Sequence, residues 1–217
     1  MSGLFPVLLK VKGRLCVVVG GGDVALRKVS SLLDRGAKVR VISPEAVPGI
    51  KDFYTSGEIE FEAREYRKGD LEGAFLCVAA ADAPGVNASV KDEANSRGVL
   101  ANLADDPEGS DFQVPSFFED GALLLAVSTQ GLSPATARTL RRMIQSYLGD
   151  SFGEALSIIN DFRERVKAEV EDTKARVKFW EDAITPEMLD KVRTGDLSGI
   201  KVMLEESLTL FKSSGGK

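Results

Sequence analysis

A continuous apolar run, Leu15-Cys16-Val17-Val18-Val19, ends in three consecutive glycines, Gly20, Gly21 and Gly22, which open onto Asp23-Val24-Ala25. The run reads as a buried strand. Beyond the glycines, Val24, Ala25, Val29, Leu32 and Leu33 recur at helical spacing, and Gly36 ends the pattern. The order strand, glycine turn, helix leaves few folds open. Gly20, Gly22 and Ala25 fit the G-x-G-x-x-G/A pattern of dinucleotide-binding turns. The first small residue allows the tight turn, the second lets backbone approach a pyrophosphate, and the third packs helix against strand. The helix N-terminus, from Asp23 and Val24, then offers free N–H groups and partial positive charge to the phosphates. The glycine pattern alone is a weak signal, equally met by a tight structural turn; its strand–turn–helix context strengthens the nucleotide reading.

At 217 residues the chain is long enough for one large domain or two modest ones. Its formal net charge of -5 offers no general attraction to nucleic acid or acidic lipid. No apolar stretch approaches the length that spans a bilayer. The first residues lack the charged start and cleavage site of a signal peptide, so the cytoplasm is the expected compartment. Both cysteines, Cys16 and Cys77, sit in apolar strand-like runs and read as small buried hydrophobes rather than a disulfide or metal site. Histidine is absent from the chain. The commonest metal ligand and general acid–base residue is thereby removed, and proton transfer falls to carboxylates, lysine, tyrosine or cysteine.

Alternating elements fill the first half. Leu4 to Leu9 reads as a short strand or edge segment, with Pro6 excluding a central position. Strands are expected at Leu15–Val19, Lys38–Ile42, Ile59–Ala63, Ala74–Ala79 and Val99–Leu103, and helices at Asp23–Arg35, Pro48–Ser56 and Asp82–Arg97. This pattern implies an α/β fold, a doubly wound Rossmann-type parallel sheet over residues 1–111. From 112 to 150 the pattern changes. Phe112–Phe118 and Leu123–Val127 read as strands joined at Glu119-Asp120-Gly121, and Ser133-Pro134 starts a helix with serine as N-cap. This stretch is expected to be a small dimerisation region, followed by a helical domain over 151–217. There Leu156, Ile159, Phe162, Val166 and Val170 recur at helical spacing, Thr185 and Asp196 are candidate caps, and the tail from Ser213 is expected to fray.

Parallel α/β sheets bind ligands outside the carboxyl ends of their strands, and four segments fall there. The glycine turn is one. Ser43-Pro44-Glu45 ends the second strand where an acidic residue would grip a ribose; here the strand ends in serine, leaving Glu45 or the Ser43 hydroxyl for the task. Since no arginine immediately follows to meet a 2′-phosphate, NAD is favoured over NADP. Ala79-Ala80-Ala81-Asp82 leaves room for a cofactor at Ala80 and Ala81, with Asp82 read first as a helix cap. Asn102-Leu103-Ala104-Asp105-Asp106-Pro107 ends the fifth strand; its aspartates are either turn residues before proline or, at Asp105, a carboxylate facing the nicotinamide. Further on, Arg138, Arg141 and Arg142 share one helical face, which is either solvated or a clamp for a polycarboxylate. The start of that helix, near Ser128-Thr129-Gln130-Gly131, could accept an anion.

Five stretches together resemble the precorrin-2 dehydrogenase family, also found as the N-terminal half of siroheme synthase. They are Phe5-Pro6-Val7-Leu8; Val19 to Ala25 with Arg27-Lys28; Ala79-Ala80-Ala81-Asp82; Asn102-Leu103-Ala104-Asp105; and Ala126-Val127-Ser128-Thr129 through Ser133-Pro134. They come in the family's order and spacing over roughly the first 150 residues. The glycine segment alone would be unspecific; the Asn-x-x-Asp turn and the later Ser-Pro helix start make the match specific. The C-terminal helices resemble the family in layout only. The resemblance implies oxidation of precorrin-2 to sirohydrochlorin with NAD, with ferrous iron insertion in some members. It implies Asp105 as the key carboxylate, Asn102, Ser128, Thr129 and the three arginines toward the tetrapyrrole, and a homodimer exchanging residues beyond about 112. No resident metal is expected. Two departures stand out. Thr129 stands where many siroheme synthases have a second serine, so regulation through that serine does not carry over. The methyltransferase module of the long form is absent, so methylation is expected to happen elsewhere.

A reading from another class remains open: an NAD(H)-sensing regulatory module with a Rossmann domain and helical dimerisation arm. Such a sensor has no need of a carboxylate at the nicotinamide end. An ordinary small-molecule NAD dehydrogenase fits less well with an arginine face and no histidine.

Overall fold

A computed structural model describes residues 3–214. The chain divides into two compact units, one through Val114 and one from Pro115 onward.

The first unit runs β1 (Leu15–Val19), α1 (Asp23–Leu33), β2 (Lys38–Ile42), α2 (Pro48–Thr55), β3 (Ile59–Glu62), β4 (Leu76–Ala79), α3 (Val86–Arg97) and β5 (Leu100–Leu103). The strands form one sheet in the order β3-β2-β1-β4-β5, parallel throughout. Alternate residues of each strand enter opposite layers. Cys16, Val18, Val39, Val41 and Val78 pack with Val29 of α1 and Ile50 of α2; Val17, Val19, Cys77, Ala79 and Ala101 pack with Val90 and Ala94 of α3. Covering both faces explains why the strands read as unbroken apolar runs. From β1 the chain builds β2 and β3 on one side, then crosses to place β4 on the other. The sheet order therefore reverses between β1 and β4, the switch point at whose carboxyl ends open α/β sheets bind ligands.

The connection from β3 to β4 contains no helix. Its loop is tied down by a buried carboxylate instead: Glu93 of α3 accepts from the Tyr66 hydroxyl, from the Gly69 N–H at 2.9 Å and from Arg97 at 2.6 Å. Arg64 adds a two-pronged pair to Asp70, both contacts 2.8 Å. Burial disfavours a charged Glu93, but the Tyr66, Gly69 and Arg97 hydrogen bonds outweigh it and hold the carboxyl below its usual range.

The second unit begins with an antiparallel hairpin, β6 (Ser116–Asp120) and β7 (Leu123–Val127), against which α4 (Pro134–Leu148) packs. Then come α5 (Phe152–Glu169), α6 (Thr173–Ala183), α7 (Pro186–Thr194) and α8 (Leu197–Ser213). Their core gathers Val166, Phe179, Met188, Ile200, Leu204 and Leu208. Phe179 lies edge-on to Trp180 and Phe211, at centroid distances of 5.0 and 5.6 Å. Ser133, Asp172, Thr185 and Asp196 each accept a backbone N–H at the start of α4, α6, α7 and α8, as their sequence positions suggested for three of them. The start of α5 is capped from the hairpin, where Asp120 accepts the Gly153 N–H at 2.8 Å.

Three local expectations are corrected. Leu4–Leu9 joins no strand among the described residues; it lies exposed, and Pro6 has no N–H to give a ladder. Helix α3 starts at Val86 and not at Asp82. Ala83, preceding Pro84, is steered out of helical geometry, and Gly85 takes a left-handed φ of 78° as the N-cap. Phe112 to Val114 precede the hairpin without pairing, and Phe112 packs into the first unit's core. The end of the tail, 215–217, lies outside the described residues.

Candidate functional site

Each of the three glycines meets a different constraint. A Cβ on Gly20 would collide with the Ala80 carbonyl, and its φ of 127° is one that side chains rarely adopt. Gly20 is thus the point where the turn after β1 presses against the turn after β4. A Cβ on Gly21 would strike the carbonyl of Glu45 and crowd the Ser43 hydroxyl. The Val47 N–H donates to the Gly21 carbonyl at 2.8 Å, so the 43–47 loop is folded onto the glycine turn. Gly22 is different. Its φ is an ordinary -86°, and a Cβ built there meets nothing within 4 Å. Nothing in the protein requires a glycine at this position, and the space beside it is open.

Gly22 is also the N-cap of α1 and brings no side chain to that end. The first-turn N–H groups of Asp23 and Val24, both exposed, receive no side-chain acceptor. Open space against backbone, at an uncapped helix N-terminus beside a sheet switch point, suits a pyrophosphate. Ser43 is 8% exposed and lies against this turn, while Pro44 and Glu45 are exposed beyond it. The arginines nearest this strand end are engaged elsewhere: Arg40 with Glu60 at 2.7 Å, and Arg64 with Asp70 and Glu62. On the opposite wall, half-buried Ala80 and Ala81 are held by a residue that the sequence did not single out. The amide of Asn87 accepts from the Ala81 N–H at 3.0 Å and donates to the Ala81 carbonyl at 3.1 Å. An asparagine early in a helix after a small-residue turn was the available signal.

The two aspartates after β5 part company. Asp106 accepts the Gly109 N–H at 2.9 Å and so belongs to the turn. Asp105 is exposed, and among the described residues its carboxylate has no hydrogen bond or ion pair. Both aspartates are exposed, but of the pair only Asp105 is wholly without a partner among the described residues. Asn102 is engaged within the protein. It is 7% exposed, accepts from Lys28 at 3.1 Å and donates to the Phe112 carbonyl at 3.0 Å. Burial, then the neighbouring charge of Arg27, lowers the Lys28 pKa. Asn102 thus stitches α1 to the segment after β5.

The thiols take no part in this arrangement. Cys16 and Cys77 are free, buried in opposite layers of the sheet, and pushed by desolvation to about 11 and about 12. Among the described residues no group of three or more Asp, Glu, Cys or His side chains is placed to hold a metal.

In the second unit, Ser128 accepts the Gln130 N–H at 3.0 Å, and Thr129 exchanges hydrogen bonds with the Ser133 backbone at 3.0 and 3.1 Å. On α4, Arg138 and Arg142 are exposed. Arg141 is half-buried; it donates to Gln145 at 2.5 Å, while its buried Nε has no partner. The three arginines are therefore not one uniformly solvated face.

A family model described as NAD(P)-binding matches residues 7–116, the span that carries the sheet and the glycine turn. The chain belongs to that family. A second model, the sirohaem synthase dimerisation region, matches residues 151–208. The siroheme synthase of Chromobacterium violaceum is 36% identical over 204 residues, covering 94% of this chain and 43% of that protein. The siroheme synthase of Photorhabdus laumondii is 35% identical over 203 residues, again 94% of this chain and 43% of the relative. The chain thus spans less than half the length of these relatives. Among solved structures, SirC, a precorrin-2 dehydrogenase, superposes with a TM-score of 0.75 at 24% identity, covering 94% of this chain and all of the other. The likeness establishes a shared fold across both units' elements. No helix among the described residues is long and apolar enough to cross a membrane.

Proposed function

We propose that the chain oxidises precorrin-2 to sirohydrochlorin, with NAD as the oxidant. The observation that carries this reading is an unpaired carboxylate, Asp105, at the end of β5 in a sheet whose glycine turn has open space at Gly22. The family match and the siroheme synthase relatives support it. Bound NAD would supply the hydride acceptor. Gly22 and the first turn of α1 would hold its pyrophosphate, Ser43 and Glu45 its ribose, and Ala80 and Ala81 would flank it. Arg40 and Arg64 are already paired with Glu60, Glu62 and Asp70, and the end of β2 lies beside the Glu62 carboxylate, which supports NAD over NADP. Removal of a hydride from the reduced tetrapyrrole must be matched by loss of a proton, and Asp105 would accept it. In a chain with no histidine a carboxylate is a natural candidate for this duty. Arg138, Arg141, Arg142, Ser128 and Thr129 would bind the substrate's carboxylates. Asn102, with its amide engaged internally, would act by holding the end of β5 in place.

The test is turnover of precorrin-2 with NAD by wild type, Asp105→Asn and Asp106→Asn. Asp105→Asn is expected to keep the NAD-induced rise in Tm yet lose turnover by about 10²-fold or more, the scale of positioned acid–base catalysis. Asp106→Asn is expected to stay near wild type, since an asparagine can still accept the Gly109 N–H. Full turnover by Asp105→Asn would overturn the assignment. Stabilisation by NAD with no turnover in wild type would favour the sensing module. Adding ferrous iron to the same assay tests whether the metal is a second substrate, with Asp105 accepting the pyrrole protons.

We also propose a homodimer. The dimerisation-region match supports it. So does an exposed apolar stripe on α4, Leu140, Met143 and Tyr147, spaced along one side of the helix.

A further inference from the structure

β5 is the last strand of its sheet, and its outer edge is closed in an unusual way. Residues 110–112 run back along it and meet its backbone chiefly through side chains. The Ser110 hydroxyl accepts the Leu103 N–H at 2.8 Å and also lies 3.4 Å from the Leu103 carbonyl. One residue on, Asp111 accepts the Ala101 N–H at 2.9 Å, while its own N–H donates to the Ala101 carbonyl at 2.8 Å. Lys91 pairs with the same carboxylate at 2.6 Å. Two consecutive polar residues therefore take the place of a neighbouring strand and cover an edge that would otherwise be open to pairing.

Edge protection accounts for Asp111 completely, but Ser110 does more. Its hydroxyl also donates to the Asp106 carbonyl at 2.8 Å. The one oxygen thus joins the last residue of β5 to the residue immediately after Asp105. The loop 104–109 leaves the strand at Leu103 and returns at Ser110, so this hydroxyl sits at its neck. Asp106 closes the loop a second time by accepting the Gly109 N–H. Between these two ties stands Asp105, exposed and without a partner of its own among the described residues. Among the described residues no hydrogen bond or ion pair of the Asp105 side chain holds it in place. Its position is set by the backbone on either side: before it the Ala104 N–H donates to the Ala79 carbonyl at 2.9 Å, and after it the Ser110 hydroxyl ties the Asp106 carbonyl to the end of β5.

We propose that Ser110 is a positioning residue for the Asp105 carboxylate: its hydroxyl pins the neck of the 104–109 loop so that Asp105 meets the substrate at a set distance from the cofactor crevice. The proposal rests on the reading of Asp105 as the proton acceptor. Proton transfer is steep in distance, and a displacement of about 1 Å at a reacting group costs as much as a hundredfold in rate. The glycine turn and α1 make no use of Ser110, so cofactor binding is independent of it.

The experiment compares Ser110→Ala, Ser110→Thr and Asp105→Asn in the full chain, by steady-state oxidation of precorrin-2 and by the NAD-induced shift in Tm. Ser110→Ala is expected to keep the NAD shift and the KM for NAD, and to lower kcat by about tenfold to a hundredfold. Ser110→Thr, which restores the hydroxyl, is expected to recover most of that kcat. In the Asp105→Asn background, Ser110→Ala is expected to cost nothing further in kcat, because the group it positions is gone; a residue that only stabilised the fold would not show this coupling. If Ser110→Ala shows no cooperative thermal transition and so has not folded, Ser110→Cys, near in size and a weaker hydrogen-bonding group, takes its place with an expected kcat between alanine and wild type; a folded Ser110→Ala without the NAD shift overturns the positioning role. A kcat within twofold of wild type for a folded Ser110→Ala, while Asp105→Asn is inactive, overturns the positioning role alone. Full turnover by Asp105→Asn overturns the catalytic reading and this proposal with it.

Discussion

At the scale of single residues, the glycine turn separates two reasons for a missing side chain. Gly20 and Gly21 are small because other backbone lies where their Cβ would go; Gly22 is small although the protein leaves the space empty. Substitutions should divide accordingly. Gly20→Ala combines a collision with the Ala80 carbonyl and a strained φ, and is expected to lower Tm even without cofactor. The Cβ of Gly22→Val would meet nothing within 4 Å, so its unliganded Tm should stay closer to wild type than that of Gly20→Ala. The same variant should lose the NAD-induced rise in Tm, which depends on binding to the folded form alone. Thermal melts of both variants with and without NAD would check this, and an undiminished NAD response in Gly22→Val would remove the glycine turn from the cofactor site. NADP is expected to raise the wild-type Tm less than NAD does.

At the scale of elements, the loop joining β3 to β4 depends on one carboxylate. Glu93 is held below its usual range in the folded chain, against roughly 4.3 when unfolded. On acidification the unfolded chain takes up the proton first, so this contribution is fully present above the unfolded pKa. It is lost as pH falls from about 4.3 through the lower folded value. Glu93→Gln should therefore be less stable than wild type near neutrality, and the difference in Tm should shrink through that acid range. Urea melts at a series of pH values would show it; a constant difference would mean that the Glu93 charge is not involved. Helix α4 carries the other element-scale expectation. Reversing Arg141 and Arg142 to glutamate should weaken precorrin-2 binding strongly and NAD binding little, and the loss should diminish with added salt. Equal loss of both ligands, measured by titration, would point to a disturbed fold instead.

For the molecule as a whole, each unit has its own core, and the second is organised around aromatic packing at Phe179. Phe179 is 1% exposed, and Phe179→Ala should cost about 3–5 kcal/mol by denaturant unfolding. If the chain dimerises, Tm should rise with protein concentration. Sedimentation equilibrium would check the same point, and a monomer across the concentration range would remove the homodimer.

Much of this architecture was already legible in the order of residue types. Strand and helix periodicity, the glycine turn and the caps at Ser133, Thr185 and Asp196 act between close neighbours in the chain, and buried parallel strands have little choice but to be apolar. The failures were local too: Pro84 and Gly85 delayed α3, and Pro6 left its segment without a ladder. What could not be read along the chain was the use made of each polar group once distant segments had met. Asn102 and Lys28 stand 74 residues apart, yet each engages the other. Gly21 owes its size to Glu45, and the Ala80–Ala81 turn its shape to Asn87. Asp105 and Asp106 are chemically the same residue in adjacent positions. One faces outward and one is drawn into the turn, because the return of the chain at Gly109 and Ser110 offers donors to only one of them.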